Sequence, residues 1–459
     1  MNITETQAKH LMQCWSAQEG YNPISVIKTE GCWIYAEDGR KIFDLRSAHE
    51  CINLGFNHPK VIEAIKRQLD DVIYVTDDFA TQPTAKLAQK LAALTPGSPN
   101  KKIWFGQSGA AAVEAAIKAA RFYKYNQLLE GGTGQYDTFR QYPYPYKIIS
   151  RYRSWHGATS GASSVSGDPR RWFSEPHTVP GVVFAPDSYP YRSVFGEDPD
   201  GLKSVEYLRY VVEMEGGSGF VAAILIEPVV GSNGVIPTPK PYMRKVRELC
   251  DEFGLLLIVD ETMTGMGRTG KFLAIEHYDI VPDIIIMGKA LGAYSPLSAA
   301  IFSKEVSSVF GKNIFGHGQS FSGHALASAA ALAGIEVLHE DILPGVEEKG
   351  KYLEAKLLKL QDKYISIGEV RGLGLMWTLE LVKDRYTKEP FRAFTQKYRE
   401  TPVKRLSEYL LNEKNVYVPG DKFGLWIVPP LVVSYDELDW LVEQLDDALH
   451  FFKNTLTDV

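Results

Sequence analysis

Cysteine is scarce in this chain of 459 residues, which has only four. Cys14, Cys32, Cys51 and Cys250 show no Cys-x-x-Cys spacing, the pattern typical of zinc and redox sites. Few cysteines without such spacing fit reduced thiols, because disulfide-rich proteins are found mainly outside the cytosol. The sequence therefore predicts a cytoplasmic protein and no metal site.

Long apolar runs and runs of basic residues are missing as well. No apolar run approaches the roughly 20 residues that a membrane-spanning helix needs, and the N-terminus lacks the basic-then-apolar pattern of a signal peptide. The 50 basic and 56 acidic residues give a net charge of -6, with no basic run that would attract nucleic acid. The expected partners are small molecules, with no nucleic acid and no membrane.

Alternating apolar segments indicate the fold class. Wholly apolar segments alternate with helical ones between residues 102 and 287, which predicts an α/β fold with a mostly parallel sheet and helices on both faces. From about Gly334 the pattern changes to that of a smaller α+β domain. A Gly-, Tyr- and Pro-rich stretch at residues 131–146 is interpreted as an inserted surface loop. The predicted units are residues 1–56, a segment that packs with the small domain, residues 57–333, the large domain, and residues 334–459, the small domain.

Two charged side chains come directly after buried strands in the middle of the chain. The run from Leu255 delivers Asp260, and the run from Ile284 precedes Lys289. A lysine after a strand is more often a solvated surface residue. Ligands of α/β sheets, however, bind outside the carboxyl ends of the strands, where an acid and an amine can act on one ligand. A cofactor with an aldehyde and a basic ring nitrogen needs such a pair, so we predict pyridoxal 5'-phosphate, with Lys289 and Asp260 as catalytic residues.

Three loops supply further candidate contacts. Small residues from Gln107 lead into an Ala-rich helix, where backbone N–H groups can approach an anion, although Ser108 as an ordinary helix cap explains the pattern equally well. Trp155 offers an aromatic plane suited to stacking on a heteroaromatic ring, or it is simply a partly buried loop residue. The Gly- and Ser-rich loop at residues 316–324 is either a binding loop or a flexible connection.

A dinucleotide motif is present but misplaced. Gly265, Gly267 and Gly270 spell Gly-x-Gly-x-x-Gly after a strand. Five residues separate the strand from the first glycine, and no clear helix comes after the last one. The acidic residue expected to end the next strand is instead Asp283, which starts it. The spacing argues against a nicotinamide site.

The motifs together resemble the class III, or omega, aminotransferases, a family of fold-type I pyridoxal-phosphate enzymes, and within it the taurine:2-oxoglutarate transaminase members. They cover almost the whole chain in the family's order. The matching segments are AsnLeuGlyPheAsnHisPro (53–59), TrpHisGly (155–157), IleGluPro (226–228), ValAspGluThr (259–262), GlyMetGlyArgThrGly (265–270), GlyLysAlaLeuGly (288–292), GlyHisGlyGlnSerPheSerGlyHis (316–324) and ValArgGlyLeuGly (370–374).

The resemblance implies roles for individual residues. Lys289 forms the Schiff base, Asp260 pairs with the pyridine nitrogen and Trp155 stacks on the ring. It also implies a homodimer with shared active sites and a large domain that binds the cofactor. The family usually has a hydroxyl where this chain has Ala110, so phosphate contacts there come from backbone N–H groups. The full predicted cofactor-binding set is Ser108, Gly109, Ala110, Trp155, His156, Glu227, Asp260, Thr262, Lys289 and, from the partner subunit, Ser320.

The substrate question turns on a missing arginine. Many family members carry one just before the Pro429-Pro430 pair to bind an α-carboxylate, and here Gly424 and Trp426 stand there. We therefore expect an ω-amino donor such as taurine, β-alanine or 4-aminobutyrate, with 2-oxoglutarate or pyruvate as acceptor. Racemisation or epimerisation on the same cofactor, and transamination of an α-amino acid, stay open. The predicted substrate residues are Trp15, Glu50, Arg153 and Trp426, with Arg46 and Arg170 behind Arg153 as alternative partners of the donor's acid group.

These substrate assignments have competing explanations. Each of the three arginines is also explained by a surface or structural ion pair. Glu50 would repel an acidic donor unless an arginine pairs with it.

Overall fold

The structure, a computed structural model, describes residues 3–130, 144–394, 400–418, 420 and 423–457. Most of the predicted insertion at residues 131–146 therefore lies outside the described residues. The strands within the described ranges are β1 Val26–Glu30, β2 Trp33–Ala36, β3 Lys41–Asp44, β4 Lys102–Gly106, β5 Lys147–Arg151, β6 Val182–Ala185, β7 Val221–Ile226, β8 Val229–Val230, β9 Ile236–Pro237, β10 Leu256–Asp260, β11 Ile284–Met287, β12 Ser298–Phe302, β13 Ile367–Leu373, β14 Met376–Asp384, β15 Glu389–Pro390, β16 Val416–Tyr417 and β17 Gly424–Ile427.

Helices alternate with these strands. No helix in the described ranges is both long and apolar enough to cross a bilayer. The helices are α1 Ile3–His10, α2 Ser47–Glu50, α3 Pro59–Leu69, α4 Gln82–Leu94, α5 Gly109–Glu130, α6 Ser160–Ser164, α7 Leu202–Met214, α8 Lys240–Phe253, α9 Lys304–Ser308, α10 Ala325–Val337, α11 Leu343–Lys363, α12 Pro402–Glu413, α13 Tyr435–Phe451 and α14 Lys453–Thr457.

The largest sheet within the described residues has seven strands in the order β4-β12-β11-β10-β7-β5-β6. All its strands run parallel except β12, which is antiparallel to both neighbours. Every residue of β7, β10 and β11 is buried, as expected of strands covered on both faces. Along β10, Ile258 packs with the alanines of α5, while Leu257 and Val259 join the larger apolar cluster. The predicted mostly parallel sheet with helices on both faces is confirmed.

Two smaller sheets hold the ends of the chain. In one, β14 pairs antiparallel with β13, β15 and β17. In the other, the hairpin of β2 and β3 continues into β16, which runs parallel to β3. The N-terminal hairpin therefore shares a sheet with a strand from near the C-terminus, while the predicted division of the chain into three units stays a prediction.

The buried Arg268 connects these parts near the sheet. Its guanidinium donates to the carbonyls of Leu375 at 2.9 Å and Pro429 at 2.6 Å, and to Asn53 Oδ1 at 2.6 Å. An unpaired buried cation would be costly, so Arg268 needs these acceptors. Through them the N-terminal segment and the segment before β14 are held against the glycine-rich turn after β10. The glycines of the rejected dinucleotide motif thus belong to a structural turn.

Candidate active site

The carboxyl ends of the parallel strands bring the predicted catalytic pair to one edge of the sheet. Strand β10 pairs with β11 so that Asp260 lies opposite Ile286. Lys289 comes three residues after Ile286, just beyond the end of β11. A cavity of about 560 Å³ opens at this edge and is lined by Lys289, Ser108 and Gly109 among others. The Lys289 amine and the N-terminus of α5 thus line one cavity.

The carboxylate of Asp260 is buried and held by two partners. The side chain of His156 approaches Asp260 Oδ2 through Nδ1 at 2.8 Å, and the backbone N–H of Thr262 donates to Oδ1 at 2.9 Å. The other ring nitrogen of His156 is buried, and no hydrogen-bond partner accompanies it within the described residues. Because the residue is only 4% exposed, Asp260 presents its charge in a nearly dry environment, where it acts strongly on a basic nitrogen.

The loop that carries Trp155 is fixed by a buried glutamate. Glu227 accepts hydrogen bonds from the backbone N–H groups of Trp155 at 2.9 Å and Gly231 at 3.1 Å. Burial raises the pKa of Glu227 above its ordinary value. The guanidinium of Arg170 lies 3.7 Å from the centre of the Trp155 ring. The ring of Trp15 packs edge-on against the Trp155 ring, with 5.5 Å between the ring centres. Glu227 thus orients the indole through the backbone.

Close packing leaves a small cradle where α5 begins. A Cβ atom on Gly109 would lie 2.9 Å from Thr262 Cγ2, and one on Gly288 would lie 3.4 Å from the Gly109 Cα. Thr262 Oγ1 is buried, with no hydrogen-bond partner among the described residues. Ser108 Oγ accepts from the N–H of Ala111 at 3.2 Å, as a helix cap does. The helix N-terminus and the orphaned hydroxyl fit a phosphate-bearing ring compound in this cradle.

Lys289 lies just beyond β11 in a left-handed backbone conformation, with φ 47°. Its Nζ donates to Glu50 Oε2 at 2.6 Å, and Arg46 Nε lies 3.5 Å from Glu50 Oε1. The Glu50 carboxylate is fully buried. Burial acts to raise the pKa of Glu50, but Lys289 and then Arg46 lower it below the ordinary value. The Glu50 carboxylate, which comes from α2, therefore lies between the Lys289 amine and the Arg46 guanidinium.

The α2 turn is left-handed and made of residues other than glycine. The φ angles of Ser47, Ala48, His49 and Glu50 are 48°, 45°, 61° and 60°. Such a conformation costs roughly 1–2 kcal/mol per residue, so the surroundings must enforce it. Ser47 Oγ donates to the Val428 carbonyl at 2.6 Å, and the buried Asp44 accepts from the N–H groups of Arg46 and Ala48 at 2.9 and 2.7 Å. In this left-handed turn the Glu50 side chain points towards Lys289.

The predicted acid-binding arginines differ in their partners. Arg153 forms an ion pair with Asp187 at 2.6 Å, and its guanidinium packs 4.5 Å from the ring of Phe394. The guanidinium of Arg46 instead lies 4.9 Å from the ring of the buried Trp426, at the segment where the family's arginine is missing. Arg170 pairs with Asp168. Arg46 is thus the arginine that the structure connects, through Glu50, to Lys289.

The Gly- and Ser-rich loop, residues 316–324, lies beside the start of α5. Gln319 Oε1 accepts from the backbone N–H of Gln107 at 3.2 Å, and the Tyr74 hydroxyl donates to the carbonyl of Ser320. Ser320 is exposed in the single subunit. Its predicted contact with a partner subunit's phosphate site stays a prediction.

A family model described as Aminotransferase class-III matches residues 15–449, which is nearly the whole chain. The chain belongs to the class III aminotransferases. The resemblance found in the motifs is therefore confirmed, and so is pyridoxal 5'-phosphate as the cofactor of the family.

Individual relatives of this aminotransferase span several chemistries. It is 34% identical to the acetylornithine aminotransferase of Methanocaldococcus jannaschii over 97% of this chain and 98% of the relative. It is 35% identical to the leucine/methionine racemase of Thermococcus litoralis over 94% and 91%. Among solved structures, the taurine:2-oxoglutarate aminotransferase of Bifidobacterium kashiwanohense, in complex with PLP and glutamate, matches with a TM-score of 0.90 at 31% identity over 99% and 98%.

Two contacts of this aminotransferase's site were not foreseen from the sequence. The pairing of His156 with Asp260 joins two motifs that the resemblance named separately, so the sequence contained the residues but not the bond. The pairing of Glu50 with Lys289 had no signal beyond the position of Glu50 near the predicted pocket mouth. The sequence favours Arg153 over Arg46 as the residue that binds the donor's acid group, because Arg153 lies beside Trp155. The fold of α2, which positions Arg46, has no signal in the sequence.

Proposed function

We propose that this aminotransferase moves the amino group of an ω-amino acid or amine, of the taurine, β-alanine or 4-aminobutyrate class, to a 2-oxo acid such as 2-oxoglutarate or pyruvate. The observation that carries the reaction is the placement of the Lys289 amine and the buried Asp260 carboxylate at the ends of adjacent strands. Pyridoxal phosphate supplies an electron sink when bound, which lets a carbon–hydrogen bond next to nitrogen ionise.

Each predicted cofactor residue has a task that its position supports. Asp260, with His156 behind it, would hold a proton on the ring nitrogen of the bound cofactor. Trp155 would cover one face of the ring and exclude water, and Thr262 would offer its unpartnered hydroxyl. The N–H groups from Ser108 to Ala110 receive the phosphate at the start of α5, joined by Ser320 from a second subunit.

Lys289 does the proton work. With the cofactor bound, the free Nζ of Lys289 would act as the base that moves the proton between the donor's carbon and the cofactor. A single flexible amine at the end of β11 can carry the proton between the donor's carbon and the cofactor. In this mechanism no other amine carries the proton.

The donor's class rests on the segment before Pro429. Strand β17 is buried, and Trp426 occupies the region where the family's arginine would bind an α-carboxylate. An unpaired carboxylate there costs several kcal/mol in a partly dry pocket. We therefore assign the donor's acid group to Arg46, which lies on the Trp426 ring, and leave Arg153 to its ion pair with Asp187.

Replacing Arg46 should weaken acidic donors selectively. We expect wild-type enzyme to prefer taurine, β-alanine or 4-aminobutyrate over common α-amino acids. Arg46→Ala should raise KM for the acidic donors by roughly tenfold or more, the loss expected from one charge-assisted hydrogen bond, and hardly affect a neutral amine. Steady-state kinetics with taurine and with a neutral primary amine measure this difference.

Arg209→Ala is the matched control, since Arg209 pairs with Glu252 on the surface. Equal use of alanine and taurine by the wild type would contradict the donor class. An equal Arg46→Ala effect on acidic and neutral donors would reject Arg46 as the acid-binding residue. Arg153→Ala tests the competing arginine in the same assay.

Racemisation or epimerisation is the second candidate, favoured by the racemase relative at 35% identity. Transamination of an α-amino acid is its companion alternative. Incubation of purified enzyme with each donor separates them, because transamination produces an oxo acid whereas racemisation only erases optical purity. We expect oxo-acid production that depends on an added 2-oxo acid.

We also propose a homodimer in which each active site uses Ser320 of the other subunit. Lys289→Ala and Ser320→Asp subunits should each be nearly inactive, the second because its new charge repels the phosphate. After unfolding and refolding together, mixed dimers contain one intact site, so random assembly should restore about a quarter of wild-type activity. Mixed dimers without activity, or a fully active monomer in sedimentation, would contradict this arrangement.

A cytoplasmic location completes the proposal. The four cysteines are all free in the structure. Free thiols fit a reducing compartment. Fractionation of cells that produce the protein tests the location.

A further inference from the structure

The buried carboxylate of Glu50, in the α2 turn, contacts the reactive amine of Lys289. Its Oε2 lies 2.6 Å from Lys289 Nζ, and its side chain is 0% exposed. Within the described residues, no hydrogen bond reaches the other oxygen, Oε1, which faces Arg46 at 3.5 Å. We propose that Glu50 is a positioning residue for Lys289, which holds the amine in place and stabilises its protonated form. This inference rests on the role of Lys289 in the proposed function.

The electrostatics around Glu50 support a permanent negative charge. Burial acts to raise the pKa of Glu50, but Lys289 and Arg46 together lower it below its ordinary value. The carboxylate is therefore ionised throughout the neutral and alkaline range. An opposite charge in contact favours the ammonium form of an amine.

Other titratable groups near this pair do not change charge between pH 7 and 9. Burial raises the pKa of Asp44 to about 6, which leaves Asp44 ionised above pH 7. Burial lowers the pKa of His49, which leaves it neutral, and raises the pKa values of Cys51 and Tyr417. Burial lowers the pKa of Arg268 to about 10, so Arg268 keeps most of its positive charge up to pH 9. Between pH 7 and 9 a titration therefore reports mainly on the amine.

The proton transfer explains why such a carboxylate is useful. Lys289 Nζ would accept the proton that leaves the donor's carbon and become an ammonium, while the bound cofactor would supply the sink for the electron pair of that carbon–hydrogen bond. A fixed carboxylate at 2.6 Å stabilises that ammonium while it carries the proton. Lys289 Nζ would then give the proton up to the bound cofactor, and the charge of Glu50 would be unchanged throughout.

The reactivity of Lys289 towards acetic anhydride tests the inference on the full-length, cofactor-free chain. Only a neutral amine reacts, so mass spectrometry of the Lys289 peptide between pH 6 and 11 gives the midpoint of its titration. Glu50→Gln keeps the shape of the side chain and removes the charge. We expect it to lower the midpoint by roughly 1–3 pH units, and Glu50→Asp to lower it less.

Lys60 provides a matched control, because it forms a 2.7 Å ion pair with Asp341 on the surface. Asp341→Asn should leave the Lys289 midpoint unchanged. A second variant, Arg46→Gln, removes a competing cation and should raise the midpoint, the opposite sign to Glu50→Gln. If Glu50→Gln fails to fold, Arg46→Gln decides, and an unchanged midpoint contradicts the inference.

The loaded enzyme gives a second measurement. Glu50→Gln should move the limb of the kcat profile that reports the free Lys289 amine in the direction that the labelling shows, and Glu50→Asp should restore part of the shift. A role in packing alone would change activity without moving either midpoint.

The inference and the proposed function can fail separately. Full activity of Lys289→Ala would reject the proposed function, whatever the labelling shows. Identical Lys289 midpoints in wild-type and Glu50→Gln protein, with the wild type active, would reject only the role of Glu50.

Discussion

Lys289→Ala should abolish transamination, with a loss of roughly four orders of magnitude or more in kcat. General acid–base catalysis alone accounts for about 10²–10⁴-fold, and Lys289 also provides the attachment point of the cofactor. The ring and phosphate contacts do not depend on the amine, so the variant should still bind pyridoxal phosphate. Absorbance recorded during a single turnover, with donor and cofactor present, measures both the rate of transamination and the binding of the cofactor.

Lys304→Ala, at the exposed start of α9, is the matched control and should behave as wild type. Turnover by Lys289→Ala within tenfold of the wild type would rule out Lys289 as the proton carrier. Loss of all cofactor binding would instead show that the amine also organises the cradle.

Asp260→Asn should cost on the order of 3 kcal/mol of transition-state stabilisation, about a hundredfold in rate. The amide keeps the size of the side chain and its hydrogen bond from the N–H of Thr262, but it has no charge to hold a proton on the ring nitrogen. His156 loses its anionic partner as well. The rate of the first half-reaction, measured by absorbance in a stopped-flow instrument, gives the size of the effect.

Asp279→Asn is the control, since Asp279 forms an exposed pair with Arg244. Thermal unfolding of both variants separates a catalytic loss from a loss of fold. A stable Asp260→Asn enzyme that runs at the wild-type rate would overturn the role of Asp260.

The placement of Asp260 and Lys289 at one edge of the sheet could be predicted from the sequence because local pattern determines it. Asp260 and Lys289 each come at or just after the end of a wholly apolar strand, and the carboxyl ends of parallel strands lie at the same edge of the sheet. The mostly parallel character of the sheet could be predicted for the same reason. Strand β12 was not predicted, because a short apolar run that turns back antiparallel has no signal of its own.

The contacts of Glu50 depend on features that local pattern does not contain. Glu50 and Lys289 are 239 positions apart, and their meeting requires a left-handed turn of residues other than glycine. Asp44 and Val428, which enforce that turn, come from different parts of the chain. The ion pair of Arg153 with Asp187 likewise arises from loop packing, which the local pattern does not contain.

Lys289 should be the amine that carries the cofactor, and every role proposed for the site depends on it. Reduction of the loaded enzyme with borohydride fixes the cofactor to the amine that holds it, and peptide mass spectrometry then locates the modification. We expect one modified peptide, containing Lys289, and none after the enzyme has first been converted by an amino donor. A cofactor fixed to another lysine, or an enzyme that is active while Lys289 stays unmodified, would contradict this role.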